Sequence, residues 1–89
     1  MQQRMLKLND LMTSKQTEIL AELDISVSDL RIVDTGIDGF MYVMKLFDKS
    51  KLYFMPSGDI FYLGEYDSLI TVQQAKVLVD KYNRRKAFQ

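Results

Sequence analysis

The chain has 89 residues with no histidine and no cysteine, and its 12 basic side chains balance its 12 acidic ones. That length supports one domain, residues 1–89, on a small core that buries only roughly 60–65% of the surface exposed by the unfolded chain. The missing residue types exclude disulfides, thiol nucleophiles, imidazole acid–base chemistry and the commonest transition-metal ligand sets, and the charge balance gives no global sign of a nucleic-acid coat or a membrane-surface peptide.

The opening stretch, MQQRMLKLND, is interrupted by Arg4, Lys7 and Asp10. It lacks the apolar run of a signal peptide, and no later segment approaches the ~20 apolar residues that span a bilayer. A soluble, cytoplasmic chain with no membrane partner is therefore expected. From Gln2 to Leu23 the pattern is helical: Met5, Leu8, Met12 and Ile19 lie near heptad spacing, and Leu11, Leu20 and Leu23 widen the stripe. Lys15 and Glu22 fall on that seam. Thr13 and Gln16 have the Thr-x-x-Gln form of a capping box, so the helical region should bend or split near Thr13.

Asp24 to Leu30 is a polar link carrying Ile25 and Val27. LRIVDTG then reads as a strand, rich in β-branched residues and ended by Gly36. In TGIDGF, Gly36 and Gly39 supply positive-φ positions and Asp38 can bond its own backbone. GFMYVMKLFDKSKLYFMP reads as a hairpin: a strand from Phe40 to Phe47, a turn at Asp48 to Ser50, and a strand from Lys51 to Met55. MPSGD is a second turn, with Pro56 set for its first central position and Gly58 for its left-handed closing residue. DIFYLGEY, Ile60 to Tyr66, is read as the fourth and last strand. TVQQAKVLVDKYNRRK closes the chain as a helix, with Thr71 and Gln74 as a second capping box and Val72, Ala75, Leu78, Val79 and Tyr82 on one face. Connections this short make sequential strands antiparallel neighbours. The predicted fold class is α+β: an N-terminal helical region, a four-stranded antiparallel meander and a C-terminal helix.

The first hairpin strand is apolar on both sides, with Phe40, Tyr42, Met44 and Leu46 on one and Met41, Val43 and Phe47 on the other. A small antiparallel sheet normally wets one face, so something must cover the second. The helices could straddle the sheet, the sheet could curl, or a second chain could cover it. The narrow helix stripes favour the last, and they point to Met41, Val43, Phe47, Tyr53, Met55, Phe61, Tyr62 and Leu63 as a surface for self-association or a protein partner. Of the two expected edge strands, Leu30 to Thr35 is guarded by Arg31 and Asp34. Ile60 to Tyr66 is uncharged from Ile60 to Gly64 and is expected to be the contact edge.

No catalytic, metal or cofactor site is legible. Asp34, Asp38, Asp48 and Asp59 sit at turns or strand ends, where carboxylates serve as local backbone acceptors, and no phosphate loop or calcium loop is present. The basic end, Lys81, Arg84, Arg85 and Lys86, suits a helix C-terminus, where each cation is worth roughly 0.3–1 kcal/mol at low salt. It could also meet nucleic acid, with Tyr53 or Tyr62 stacking on bases, or an acidic partner. Residues 18–38 carry Glu18, Glu22, Asp24, Asp29, Asp34 and Asp38 against Arg31 alone, giving an acidic and a basic end.

In its size, its lack of a catalytic set and its compact α-β-α frame, the chain resembles the small accessory proteins of phages and mobile elements, many of which bind and inhibit a host protein. The expectation is a non-enzymatic protein-interaction module, homodimeric or bound to a protein partner through its sheet. The alternative is a small nucleic-acid-binding regulator.

Overall fold

The structure, a computed structural model, describes residues 12–34 and 39–88. The expected helical stretch from Gln2 to Leu11 and the turn residues Gly36 and Asp38 lie outside them. Helix α1 spans Ser14–Glu22, a single 3-10 turn follows at Val27–Asp29, and strands β1 (Leu30–Asp34), β2 (Phe40–Lys45), β3 (Lys51–Phe54), β4 (Ile60–Leu63) and β5 (Asp67–Ile70) lead into helix α2 (Val72–Lys86). The sheet order is β1-β2-β3-β4-β5 and every pairing is antiparallel.

The meander therefore has five strands, not four. The chain bends at residues 64–66 and returns as β5, so Ile60 to Tyr66 is not one strand and β4 is not an edge. Asp67-Ser68 opens β5 with two poor strand formers, which hid it in the sequence. β5 instead draws its order from the ladder with β4, where Ile60 faces Ile70 and Phe61 faces Leu69.

Both helices begin where their capping boxes lie. Thr13 accepts from the Gln16 N–H, Thr71 accepts from the Gln74 N–H, and each glutamine side chain accepts in return from the backbone N–H of its threonine. α1 ends in a Schellman motif: the Ile25 N–H donates to Leu20 O at 3.1 Å and the Asp24 N–H to Ala21 O at 3.1 Å, with Asp24 left-handed at φ 57. Ile25 packs against the core beside this cap.

Two hairpin turns at opposite ends of β3 share one geometry. In the first, the Leu46 N–H donates to Ser50 O (2.8 Å) and the Lys49 N–H to Leu46 O (3.2 Å). In the second, the Met55 N–H donates to Asp59 O (2.9 Å) and the Gly58 N–H to Met55 O (2.9 Å). Each closes on a left-handed residue, Lys49 at φ 73 and Gly58 at φ 99. The first turn places a side chain where the second places none, and a left-handed L-residue carries roughly 1–2 kcal/mol of strain. Lys49→Gly is therefore expected to raise the urea midpoint by the equivalent of about 0.5–1 kcal/mol, the added freedom of the unfolded glycine offsetting part of the relief. An unchanged or lower midpoint would contradict it.

α1 and α2 lie on the same face of the sheet. Leu20 and Leu23 from α1 and Ala75 and Val79 from α2 form one cluster with Leu30, Tyr42, Met44, Leu46, Leu52, Phe54, Ile60 and Tyr62. These two helices thus do not straddle the sheet. Among the strand side chains that the structure describes, the even-numbered residues point toward the helices and the odd-numbered residues away, because each register pairs residues of equal parity.

Among the described residues the one large buried amide is Gln16. Its side-chain nitrogen donates to Phe40 O (2.8 Å) and Phe54 O (3.0 Å), and its oxygen accepts from Thr13 N (2.9 Å), while the Thr13 hydroxyl donates to Pro56 O (2.9 Å). The cap of α1 is thereby a clamp on β2, β3 and the β3–β4 turn. No helix among the described residues is long and apolar enough to cross a membrane.

Candidate functional site

The face turned away from both helices carries a continuous cross-strand row. Arg31 faces Val43, Val43 faces Tyr53, Tyr53 faces Phe61 and Phe61 faces Leu69, so one line of side chains crosses all five strands. Val33 and Met41 pair on one side of that row; Lys45, Lys51, Leu63 and Asp67 form the next row on the other. Tyr53 and Phe61 meet edge to face, with centroids 6.3 Å apart. Met41, Val43, Tyr53, Phe61 and Leu63 are half-buried by their neighbours, whereas Val33 and Leu69 are 40% and 62% exposed. The patch is apolar at its centre and charged at its rim: Arg31, Lys45 and Lys51 stand toward β1–β3, and Asp67 stands on β5.

Met41, Val43, Tyr53, Phe61 and Leu63 are thus brought together on one face that neither described helix covers, and Met55 lies half-buried one residue past β3. Two other candidates do not join them. Tyr62 is 5% exposed on the helix-covered face, since its even position places it opposite Leu52 in the core. Phe47 is not a strand residue; it lies in the β2–β3 turn and stacks on Tyr82 of α2 at 4.8 Å between centroids.

The basic end is also divided. Lys86 Nζ donates to Asp29 Oδ2 at 2.7 Å, a hydrogen bond that raises the lysine pKa, and Asn83 Nδ2 donates to Asp24 O at 3.2 Å. The C-terminus of α2 is therefore tied to the acidic link after α1, so the two charged stretches meet within the chain instead of forming opposite poles. Arg85 lies over the Phe47 ring at 5.3 Å. The stacking residues assumed for nucleic acid are separated from these cations: Tyr53 is on the open face and Tyr62 in the core, while α2 covers the opposite side. No single surface unites them.

Among the described residues no group of three or more carboxylates could hold a metal ion. The carboxyl of Asp48 lies below its ordinary value because the Ser50 hydroxyl and N–H both donate to it, with the charge of Lys81 adding to the effect. A carboxylate with a lowered folded-state pKa contributes stability at pH above its ordinary range and loses it as pH falls through the folded value, so this turn weakens in acid. Tyr82 is shifted upward, chiefly by burial and then by the charge of Asp29. These shifts arise from the fixed β2–β3 turn and from the docking of α2.

Parity was the signal that could have sorted the candidates: Tyr62 differs from Phe61 and Leu63 by one position, and Tyr42, the most central core residue of β2, has the same parity. No family model matches the chain, and neither a curated protein nor a solved structure matches it.

Proposed function

We propose that the chain is a non-enzymatic interaction module that pairs with a second copy of itself through the open face of its sheet. The observation that carries this reading is the uninterrupted row from Val43 through Tyr53 and Phe61 to Leu69, left outside by the packing of both helices on the other face. Contiguous apolar surface with a polar rim is the mark of an interaction site.

The register favours a second copy because the face is self-complementary. A two-fold axis parallel to the strands lays β3 on β3, β2 on β4 and β1 on β5, the aligned stacking of a β-sandwich about 10 Å thick. Val43 of each copy then meets Phe61 of the other, Tyr53 meets Tyr53 and Arg31 meets Leu69, with Asp67 one row from Arg31 on the β5 rim. Lys51 meets its own mate, so its ammonium must swing to solvent while its stem covers apolar surface. An arginine one row from an aspartate at each rim favours this orientation more than it adds affinity.

Light scattering and sedimentation at tens of micromolar should give a dimer mass for the wild-type chain. Phe61→Lys should give a monomer with unchanged far-UV circular dichroism, its dissociation constant raised by at least about 30-fold, the equivalent of roughly 2 kcal/mol for a central aromatic anchor. Tyr62→Lys, facing the helices, should unfold the chain instead. A wild-type monomer throughout that range, or a dimer indifferent to Phe61→Lys, overturns the assignment; retention of a different protein by the immobilised wild type but not by Phe61→Lys would give the same face to a heteromeric partner.

A further inference from the structure

On the helix side of the molecule a cleft of about 270 Å³ opens where the β2–β3 turn meets the second half of α2. Its walls are Leu46, Phe47, Leu78 and Tyr82, and its rim carries Lys81, Arg85 and Asp48. Drug-sized ligands occupy roughly 300–1,000 Å³, whereas this volume equals about nine waters at ~30 Å³ each, the room for one large side chain. Phe47 and Tyr82 form one aromatic wall held in place, since their rings stack on each other, Arg85 lies 5.3 Å over the Phe47 ring and Lys86 lies 6.0 Å over the Tyr82 ring.

Charge decides the kind of side chain and its neighbours. Lys81 and Arg85 stand one helical turn apart, and neither is in an ion pair among the described residues, whereas Lys76 is paired with Asp80 and Lys86 with Asp29. Asp48, the acid of the rim, already has its carboxylate engaged by the Ser50 hydroxyl and N–H. The cleft is therefore an apolar slot beneath two cations that stand outside the ion pairs, Arg85 resting over the Phe47 ring and Lys81 near enough to Asp48 to lower its pKa.

We propose that this cleft docks an acidic peptide segment, one aromatic side chain entering between Leu46, Leu78 and the Phe47–Tyr82 pair, with flanking carboxylates on Lys81 and Arg85. A guanidinium and an ammonium one turn apart match two carboxylates on either side of the anchor, and with the faces of Phe47 and Tyr82 taken by each other and by Arg85 and Lys86, the edges of these rings are what meet the face of the entering ring, an edge-to-face contact that aromatic side chains favour. α2 lies across the sheet from the open face, so the cleft stays accessible in a face-to-face dimer, and this inference does not depend on that dimer.

The probe is a capped hexapeptide with one phenylalanine between acidic residues, titrated to a few millimolar and followed by amide and side-chain NMR shifts. Saturable shifts are expected at Leu46, Phe47, Leu78 and Tyr82, equally in the wild type and in Phe61→Lys. A peptide with glycine in place of its phenylalanine, and one with lysines in place of its acids, should each bind at least about tenfold more weakly. Lys81→Gln with Arg85→Gln should lower affinity for the acidic peptide by a similar factor while leaving thermal unfolding close to that of wild type. Equal binding of the glycine peptide, which would mean diffuse electrostatic attraction, overturns the proposal, as does the absence of saturable shifts. Tighter binding of a short oligothymidylate at the same two cations overturns it in favour of nucleic acid.

Discussion

Gln16→Ala is expected to remove about 3 kcal/mol of stability, a large part of what an 89-residue domain has, since stability runs at roughly 0.05–0.15 kcal/mol per residue. Gln16 is 1% exposed, and its amide joins three backbone groups: Thr13 N, Phe40 O and Phe54 O. Truncation leaves the two carbonyls facing a cavity and breaks the reciprocal half of the capping box. A buried orphaned polar group costs about 1–3 kcal/mol and a lost cap typically about 1 kcal/mol. Gln16→Glu separates hydrogen bonding from shape. Its carboxylate can still accept from Thr13 N but meets two carbonyl oxygens, so the folded state favours its protonated form and raises its pKa above the ordinary value of about 4.3. A raised folded-state pKa contributes stability below the unfolded value and loses it as pH rises through the folded one. Gln16→Glu should therefore be less stable than Gln16→Ala at neutral pH and recover toward it as pH falls to about 4. Urea midpoints across that range test both claims; a loss below about 1 kcal/mol for Gln16→Ala, or a pH-independent deficit for Gln16→Glu, contradicts the clamp.

Gly64→Ala is the second large effect, at about 2–3 kcal/mol, and its cause is space rather than backbone conformation. A Cβ on Gly64 would stand 2.7 Å from Ser50 Cβ, 2.7 Å from the Tyr62 hydroxyl and 2.9 Å from Tyr62 Cζ. Tyr62 leans along its strand over the glycine, and Ser50 is held by Asp48 in the neighbouring turn, so neither side can yield without moving the core or the hairpin. Gly39 is the contrast: its Cβ would meet nothing nearer than Pro56 at 3.9 Å, and what it needs is its φ of 123. Tyr62→Phe in the Gly64→Ala background should restore only part of the loss, because the Ser50 contact remains. Full restoration, or an initial loss below about 0.5 kcal/mol, would show that the bend adapts.

The signals that proved legible were those with a local mechanism. Thr13 with Gln16 and Thr71 with Gln74 mark the helix starts, Gly58 closes its turn, and the stripe of Val72, Ala75, Leu78, Val79 and Tyr82 packs against the sheet. Harder to read was whatever depended on register. Lys49 adopts a left-handed conformation that its identity does not announce, and that residue ends β2 at Lys45 and turns Phe47 out of the sheet. β5 is held by its ladder partner and not by the propensity of Asp67 and Ser68. Gln16 looked like one half of a capping box; its bonds to Phe40 and Phe54, 24 and 38 positions away, have no signature in the local pattern. The open face was legible as a surplus of apolar side chains on β2, and its exact membership was not.

The agreement of even and odd numbering with the two faces of all five strands has a consequence for how this sequence can change length. Each hairpin turn sets the reading frame of the strands C-terminal to it: one inserted residue between Leu46 and Ser50 would send Leu52 and Phe54 to the outside and Lys51 and Tyr53 beneath the helices, and the shift would carry through β4 and β5. A single insertion is therefore tolerable only where a longer turn or a bulge absorbs the extra residue and leaves the ladder in register. Substitution can remodel the outer face freely while the turn lengths stay fixed, so lineages of such a domain would diversify in surface and remain uniform in spacing.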